Sequence, residues 1–172
     1  EALLGDPAVQ AWIAARPDPS ILVFKSSFAL EQLAAEHGWR LLAAPASLAR
    51  RWENKVAFSE LIAGLDIPLV PTRMVASDEG YAEVSQALGP DLVIQAPHGY
   101  SGARTLRATN AEEFATAVDA LRVPRLRCAK YVPGRPLTLA ACVTAAGTAV
   151  ARPCVQVTGE PELTPYPLGS CG

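Results

Sequence analysis

The chain has 172 residues, with 15 Lys+Arg against 17 Asp+Glu and a formal net charge of −2. Half of it is apolar and mean hydropathy is +0.17, so enough apolar surface is available to offset chain entropy, which excludes a disordered tail. The balanced charge and a pI near 5.7 argue against a nucleic-acid or anionic-membrane binder, and no apolar run reaches the ~18 residues of a membrane span.

The first elements alternate. Asp6-Pro7 is a helix start, an N-cap followed by proline at the first helical position, and Val9, Trp12 and Ile13 follow at helical spacing. Residues 21–24 form a short apolar run that suits a buried parallel strand. Ser26 or Ser27 caps a helix carrying Phe28, Leu30, Leu33 and Ala34, with Gly38 as its stop. Residues 41–44 form a second buried strand. This helix–strand–helix–strand order predicts an open α/β layer.

Asn54 caps a helix with Val56, Phe58, Leu61, Ile62 and Leu65 on one stripe, ended by Asp66-Ile67-Pro68. A strand over 73–76 leads to a helix from Ser77 with Tyr81, Val84 and Leu88, stopped by Gly89-Pro90. Residues 92–96 and 105–108 are strands joined by the loop His98-Gly99-Tyr100-Ser101-Gly102-Ala103-Arg104. Thr109 or Asn110 caps a helix with Phe114, Val118 and Leu121, and Asn110 with Glu113 resembles a capping box. A strand over 126–132 precedes a Pro133-Gly134 turn, and 137–144 and 148–157 pair as a hairpin. From about Gly159 the chain is Pro- and Gly-rich and lacks a period. The predicted fold class is therefore α/β followed by α+β with antiparallel pairing.

The four cysteines, Cys128, Cys142, Cys154 and Cys171, have no CxxC spacing. Zinc is disfavoured, and the thiols read as small apolar residues. A Cys142–Cys154 bridge across the hairpin is disfavoured without a secretory signal, and none is visible from Glu1 onward. The expected location is the cytoplasm.

The loop after residue 96 is where chemistry concentrates. Small residues between antiparallel strands let backbone N–H groups approach a phosphate closely. It is not a Walker loop, since no Gly-Lys-Ser/Thr follows, nor a dinucleotide fingerprint, which needs a strand and then a helix. An ordinary hairpin loop would also read this way. Upstream stands Glu53-Asn54-Lys55 at a helix start, ending near Gly64-Leu65-Asp66-Ile67-Pro68; downstream stands Ala129-Lys130-Tyr131-Val132-Pro133-Gly134-Arg135.

This order resembles the ATP-grasp superfamily: a "DK" helix with "G-I-P", a lysine-bearing strand, a glycine-rich loop, then "E-x-hydrophobic-x-x-G". The resemblance covers roughly residues 52–157. Residues 20–50 look like the closing part of the α/β domain that precedes ATP-grasp domains in biotin carboxylase and carbamoyl-phosphate synthetase. It implies three parts: 1–51 from that preceding layer, 52–125 as the first ATP-grasp subdomain, and 126–172 as the start of the second.

The resemblance also implies roles. Lys55 matches the lysine that reaches the nucleotide phosphates; from the residues alone it reads equally as a solvated helix-start lysine, although a lysine in a first helical turn opposes the helix dipole, which mildly favours a functional reason. Gln95 stands where a second phosphate-binding lysine is usual, and an amide there forgoes charge assistance of ~1–2 kcal/mol. Gly99, Ser101 and Gly102 match the phosphate-covering loop. Arg104 is the candidate for the missing charge, although from the residues alone it is an exposed strand arginine. His98 is weighed as a contact to phosphate or substrate against a plain exposed loop residue. The backbone of Lys130, Tyr131 and Val132 matches the segment that reads the adenine edge, and Ala129 departs from the usual glutamate.

The implied activity is that of an ATP-dependent ligase. It activates a small-molecule carboxylate as an acyl phosphate for attack by an amine or other nucleophile, with ATP and Mg2+ as cofactors. The magnesium ligands are expected beyond Gly172, so a truncated chain, inactive by itself, is the expectation. A homodimer is counted among its partner states, although nothing in the sequence specifies one. The rival readings are a non-catalytic ATP-grasp-like nucleotide-binding module, motivated by Gln95 and Ala129, and an unrelated α/β protein whose Gly99 loop is only a turn.

Overall fold

The computed structural model describes residues 2–171, which divide into two compact units meeting at Asn54–Lys55. In the first, α1 (Pro7–Ala14) starts where Asp6 Oδ1 accepts from the amides of Ala8 at 2.8 Å and Val9 at 3.3 Å. Strand β1 (Ser20–Leu22) leads to α2 (Phe28–Glu36), whose N-cap Ser27 accepts from the Leu30 amide at 3.1 Å. Strand β2 (Arg40–Leu42) lies parallel to β1 with Ile21 opposite Leu41. Ile13, Ala34 and Trp39 form the buried centre, and Trp39 stacks on His37 at 4.6 Å.

The two strands are shorter and wetter than the apolar runs predict. Leu22 is 79% exposed and Phe24 fully exposed. A two-stranded ribbon with one covered face can take in Ile21 and Leu41 but not their neighbours. Helix α3 (Ala46–Trp52) is unanticipated. Its N-cap is Pro45, which offers no side-chain acceptor; Glu31 Oε1 accepts from the Ala46 amide at 2.6 Å instead. Trp12 is a surface residue, 62% exposed, lying 4.0 Å beneath the Arg16 guanidinium.

The second unit runs α4 (Lys55–Ile62), β3 (Thr72–Ala76), α5 (Tyr81–Leu88), β4 (Leu92–Gln95), β5 (Thr105–Ala108), α6 (Ala111–Leu121) and β6 (Arg125–Lys130). The four strands form one antiparallel sheet in the order β3-β6-β4-β5. Strand alternation gives it two unlike faces. Val75, Leu92, Ile94, Ala108, Leu126 and Cys128 point to one face and pack with Val84 and Leu88 of α5 and Phe114, Ala117 and Leu121 of α6. The other face carries Thr72, Val93, Gln95, Thr105, Arg107, Arg127 and Ala129 by register.

Several local departures have physical causes. Helix α5 begins at Tyr81 rather than Ser77, because Glu79 Oε1 accepts from the Ala76 amide at 2.7 Å and closes a turn first. On α4 the buried residues are Val56 and Ser59, while Phe58, Leu61 and Leu65 of the predicted stripe stay exposed. Strand β6 ends at Lys130, two residues before the predicted end. At α6, Asn110 Oδ1 accepts from the Glu113 amide at 3.0 Å, and Glu113 reaches back to the Thr109 amide at 2.7 Å. Asn110→Ala is expected to cost about 1 kcal/mol in a urea unfolding titration.

Beyond the sheet, β7 (Leu137–Thr138), β8 (Ala141–Thr144), β9 (Gly147–Val150) and β10 (Cys154–Val155) make an exposed ribbon. The predicted hairpin is present, but as β8–β9 and β7–β10 pairs with a break between them. Cys142 faces Ala149 and Cys154 faces Thr138, so register keeps these thiols apart, and the four cysteines are free. Among the described residues no helix is long and apolar enough to cross a membrane.

Candidate functional site

The loop between β4 and β5 is anchored from α4. The Lys55 amide donates to the Pro97 carbonyl at 2.8 Å, and Lys55 Nζ donates to the Gly99 carbonyl at 2.7 Å. The predicted lysine and the predicted glycine loop are therefore in contact, although 44 residues separate Lys55 from Gly99. Ser101, Gly102 and Arg104 have φ of 47°, 77° and 80°. Such left-handed backbone is costly outside glycine and turns amide groups into an anion-binding concavity. The amides of Ala103 and Thr105 fold inward to the carbonyls of Tyr100 and Gly102 at 2.9 and 3.0 Å. Those of Tyr100, Ser101 and Gly102 donate to no protein acceptor among the described residues. Gly102 is fixed by close approach as well as by φ, because a Cβ there would lie 2.4 Å from Gly169 Cα.

The face of the sheet beside this loop is polar. Gln95 and Arg127 are direct cross-strand partners, and Arg127 Nη1 donates to Gln95 Oε1 at 2.6 Å. Gln95 Nε2 donates to Thr105 Oγ1 at 3.1 Å. Arg127 also donates through Nε to Ser59 Oγ at 2.9 Å and through Nη2 to Thr72 Oγ1 at 3.3 Å. Burial lowers the guanidinium from its ordinary pKa, and no carboxylate pairs with it among the described residues. Sequence reasoning missed Arg127. The usable signal was a charged residue alternating with Leu126 and Cys128, which sets it opposite the core on the face that Gln95 shares.

Arg104 is directed elsewhere. Its Nη2 donates to the Leu121 carbonyl at 2.5 Å, at the C-terminal end of α6, where a cation is favoured by the helix dipole. Its charge is engaged there, and the structure does not gather it with Lys55 and Gln95. His98 is exposed, as is Tyr100 beside it.

At the opposite end of β4, the chain leaves β6 through Lys130, Tyr131 and Val132. Lys130 N donates to the Pro71 carbonyl at 3.0 Å, and Tyr131 N donates to the Asp91 carbonyl at 2.8 Å. Pro71 has no N–H to return, so the Lys130 carbonyl stays open on that side. Arg107 forms a fork to Asp91, with Nε at 2.7 Å from Oδ1 and Nη2 at 2.6 Å from Oδ2, and its guanidinium lies 3.9 Å over the Tyr131 ring. Ala129, where the resemblance leads one to expect a glutamate, is 4% exposed. Lys130 lies opposite Leu92 and Arg127 opposite Gln95, so the segment after β6 and the loop leave opposite ends of β4, about 10 Å apart for the three paired residues between and further for the residues by which each runs on.

The Arg107 hydrogen bond holds the Asp91 carboxyl below its ordinary pKa. A depressed carboxyl stabilises the folded state fully above its unfolded pKa and loses that contribution as pH falls through the folded value. Acid titration below the ordinary carboxylate range is therefore expected to release the clamp on Tyr131. Tyrosine fluorescence followed against pH should show this transition, and Asp91→Asn should lack it.

No family model and no curated protein matches the sequence. Solved structures do match its fold. D-alanyl-alanine synthetase A from Vibrio cholerae superposes with a TM-score of 0.63 at 18% identity, covering 86% of this chain and 47% of that one. The D-alanine-D-alanine ligase of Coxiella burnetii gives 0.63 at 17%, covering 80% and 44%. Carboxyaminoimidazole ribonucleotide synthase from Aspergillus clavatus, complexed with ATP, gives 0.62 at 19%, covering 90% and 41%. The chain has the ATP-grasp fold. It spans less than half the length of these structures. The mixed layout of an α/β unit followed by an antiparallel α+β unit is the one that the ATP-grasp resemblance implies.

Proposed function

We propose that the polar face of the β3-β6-β4-β5 sheet binds ATP, and that the protein belongs to a carboxylate-activating ATP-dependent ligase. The contact of Lys55 Nζ with the Gly99 carbonyl carries the reading, because it sets a cation at the mouth of a loop with three uncommitted amides. Gly99, Ser101 and Gly102 cover the triphosphate, Lys55 neutralises it, and Gln95 lies beneath. The adenine lies toward residues 130–132, where the Lys130 carbonyl can accept from the exocyclic amine and the Val132 amide can donate to a ring nitrogen. The spacing along β4 suits an extended nucleoside triphosphate. The first subdomain then runs from about residue 52 through β6, whose place inside the sheet moves the expected boundary from 125 to about residue 130, and the remainder begins the second.

In the reaction, a substrate carboxylate oxygen attacks the γ-phosphorus and the bond to the bridging oxygen breaks, releasing ADP. An amine or other nucleophile then attacks the acyl carbon and phosphate leaves. Residues of this chain contribute by positioning the polyanion and neutralising its charge. Magnesium is implied by the fold, but among the described residues no group of three or more His, Cys, Asp or Glu side chains could hold a metal ion.

A second reading, nucleotide binding without turnover, draws on Gln95 and Ala129 standing where the family has charged side chains. Isothermal titration with ATP tests the binding site, and saturable heat is expected. An absence of heat contradicts it. Formation of ADP on adding carboxylates and amines separates the ligase from the silent module.

A further inference from the structure

We infer that Arg127 is a phosphate-binding cation of this site, taking over from β6 the charge that a lysine at position 95 would have supplied from β4. The inference rests on the nucleotide reading above and deepens it.

Arg127 is a half-buried guanidinium whose three hydrogen-bond partners, Ser59 Oγ, Gln95 Oε1 and Thr72 Oγ1, are all neutral. The other arginines of this sheet are treated differently: Arg73 pairs with Glu79 and Glu83, Arg107 with Asp91, and Arg125 with Glu60. Holding a cation out of water without a counter-charge is unfavourable, and an apolar residue of similar volume commonly does as well or better at such a position. A site that retains the charge therefore has a use for an anion. Burial already presses the guanidinium toward its neutral form, and an incoming phosphate would oppose that.

The geometry fits. Of the five guanidinium N–H groups, three are taken and one on each Nη is left. A pair of donors on a rigid planar fork is the arrangement that suits two phosphate oxygens. Gln95 accepts from Arg127 and donates to Thr105, so it orients the fork rather than competing for the ligand. Arg127 and Gln95 form a direct cross-strand pair at the end of β4 that leads into the Gly99 loop. Two such side chains on one face are neighbours, so a charge moved from one to the other shifts by only a few ångströms.

The test compares ATP with adenosine by equilibrium titration on the full chain. Arg127→Met is expected to weaken ATP about 10- to 100-fold and leave adenosine unchanged, the loss of a charge-assisted pair. Its thermal midpoint should equal or exceed that of the unsubstituted protein, which separates lost binding from lost folding. Adding Gln95→Lys to Arg127→Met should restore most of the ATP affinity, because it returns the cation to the other strand of the pair. If the unsubstituted protein binds ATP and Arg127→Met binds it equally well, the inference is overturned and the nucleotide reading stands. Equal weakening of ATP and adenosine also overturns it, since the residue would then act through the fold. If the unsubstituted protein binds neither, both fall together.

Discussion

Leu126→Ala is expected to remove about 2–5 kcal/mol of stability. The side chain is 0% exposed and sits on β6, which is paired on both sides, by β3 and β4. Val75 faces it across the ladder, and α5 and α6 cover the same face. A strand with neighbours on both sides cannot move toward the helices to close a void, so the cavity persists and its cost is added to the lost transfer energy. Against a typical domain stability of about 5–15 kcal/mol, this is enough to populate the unfolded state of the second unit measurably. Guanidinium titration followed by far-UV circular dichroism measures it. Leu139→Ala, at a position 55% exposed, serves as the control and should stay within about 0.5 kcal/mol.

Lys55→Met carries the largest expected effect on binding. Its ammonium bonds the Gly99 carbonyl at 2.7 Å and its amide bonds the Pro97 carbonyl at 2.8 Å. The amide bond survives the substitution, so the helix start and the loop entry keep their positions. What is lost is one positive charge within reach of the triphosphate and one restraint on the loop. ATP affinity should fall about 10- to 100-fold, as for other charge-assisted contacts. Adenosine should bind as before. Equilibrium dialysis with the two ligands measures the difference, and a substitution that weakens both alike would place Lys55 in the fold rather than at the phosphates.

Much of the architecture is legible in the chain because its local signals agree with one another. Asp6-Pro7, Ser27 and Asn110 are caps whose acceptors reach their own helices within three residues. The strands at 73–76, 92–96 and 105–108 lie within a residue of β3, β4 and β5, since their alternation matches one buried face. Helix α3 was illegible because its cap comes from Glu31, which is remote in sequence. The apolar runs at 21–24 and 41–44 predict more burial than the strands have, because an apolar run says nothing about how many layers will cover it.

The site divides in the same way. Lys55 and the Gly99 loop are local motifs, and the fold brings them into contact. Arg104 reads either as the missing charge or as an exposed strand arginine; it is exposed, and its guanidinium donates to the Leu121 carbonyl, a partner 17 residues away that no motif announces. The alternation with Leu126 and Cys128 marks Arg127 in the sequence but marks Arg125 equally. Only the register with Gln95 and the contact with Ser59 distinguish it.

Amide hydrogen exchange with and without ATP tests the central claim most directly. Slowed exchange is expected to be confined to residues 97–104 and 130–134, at the two ends of β4, with α6 unchanged. Binding of ATP that leaves both stretches exchanging at their free rates would contradict it.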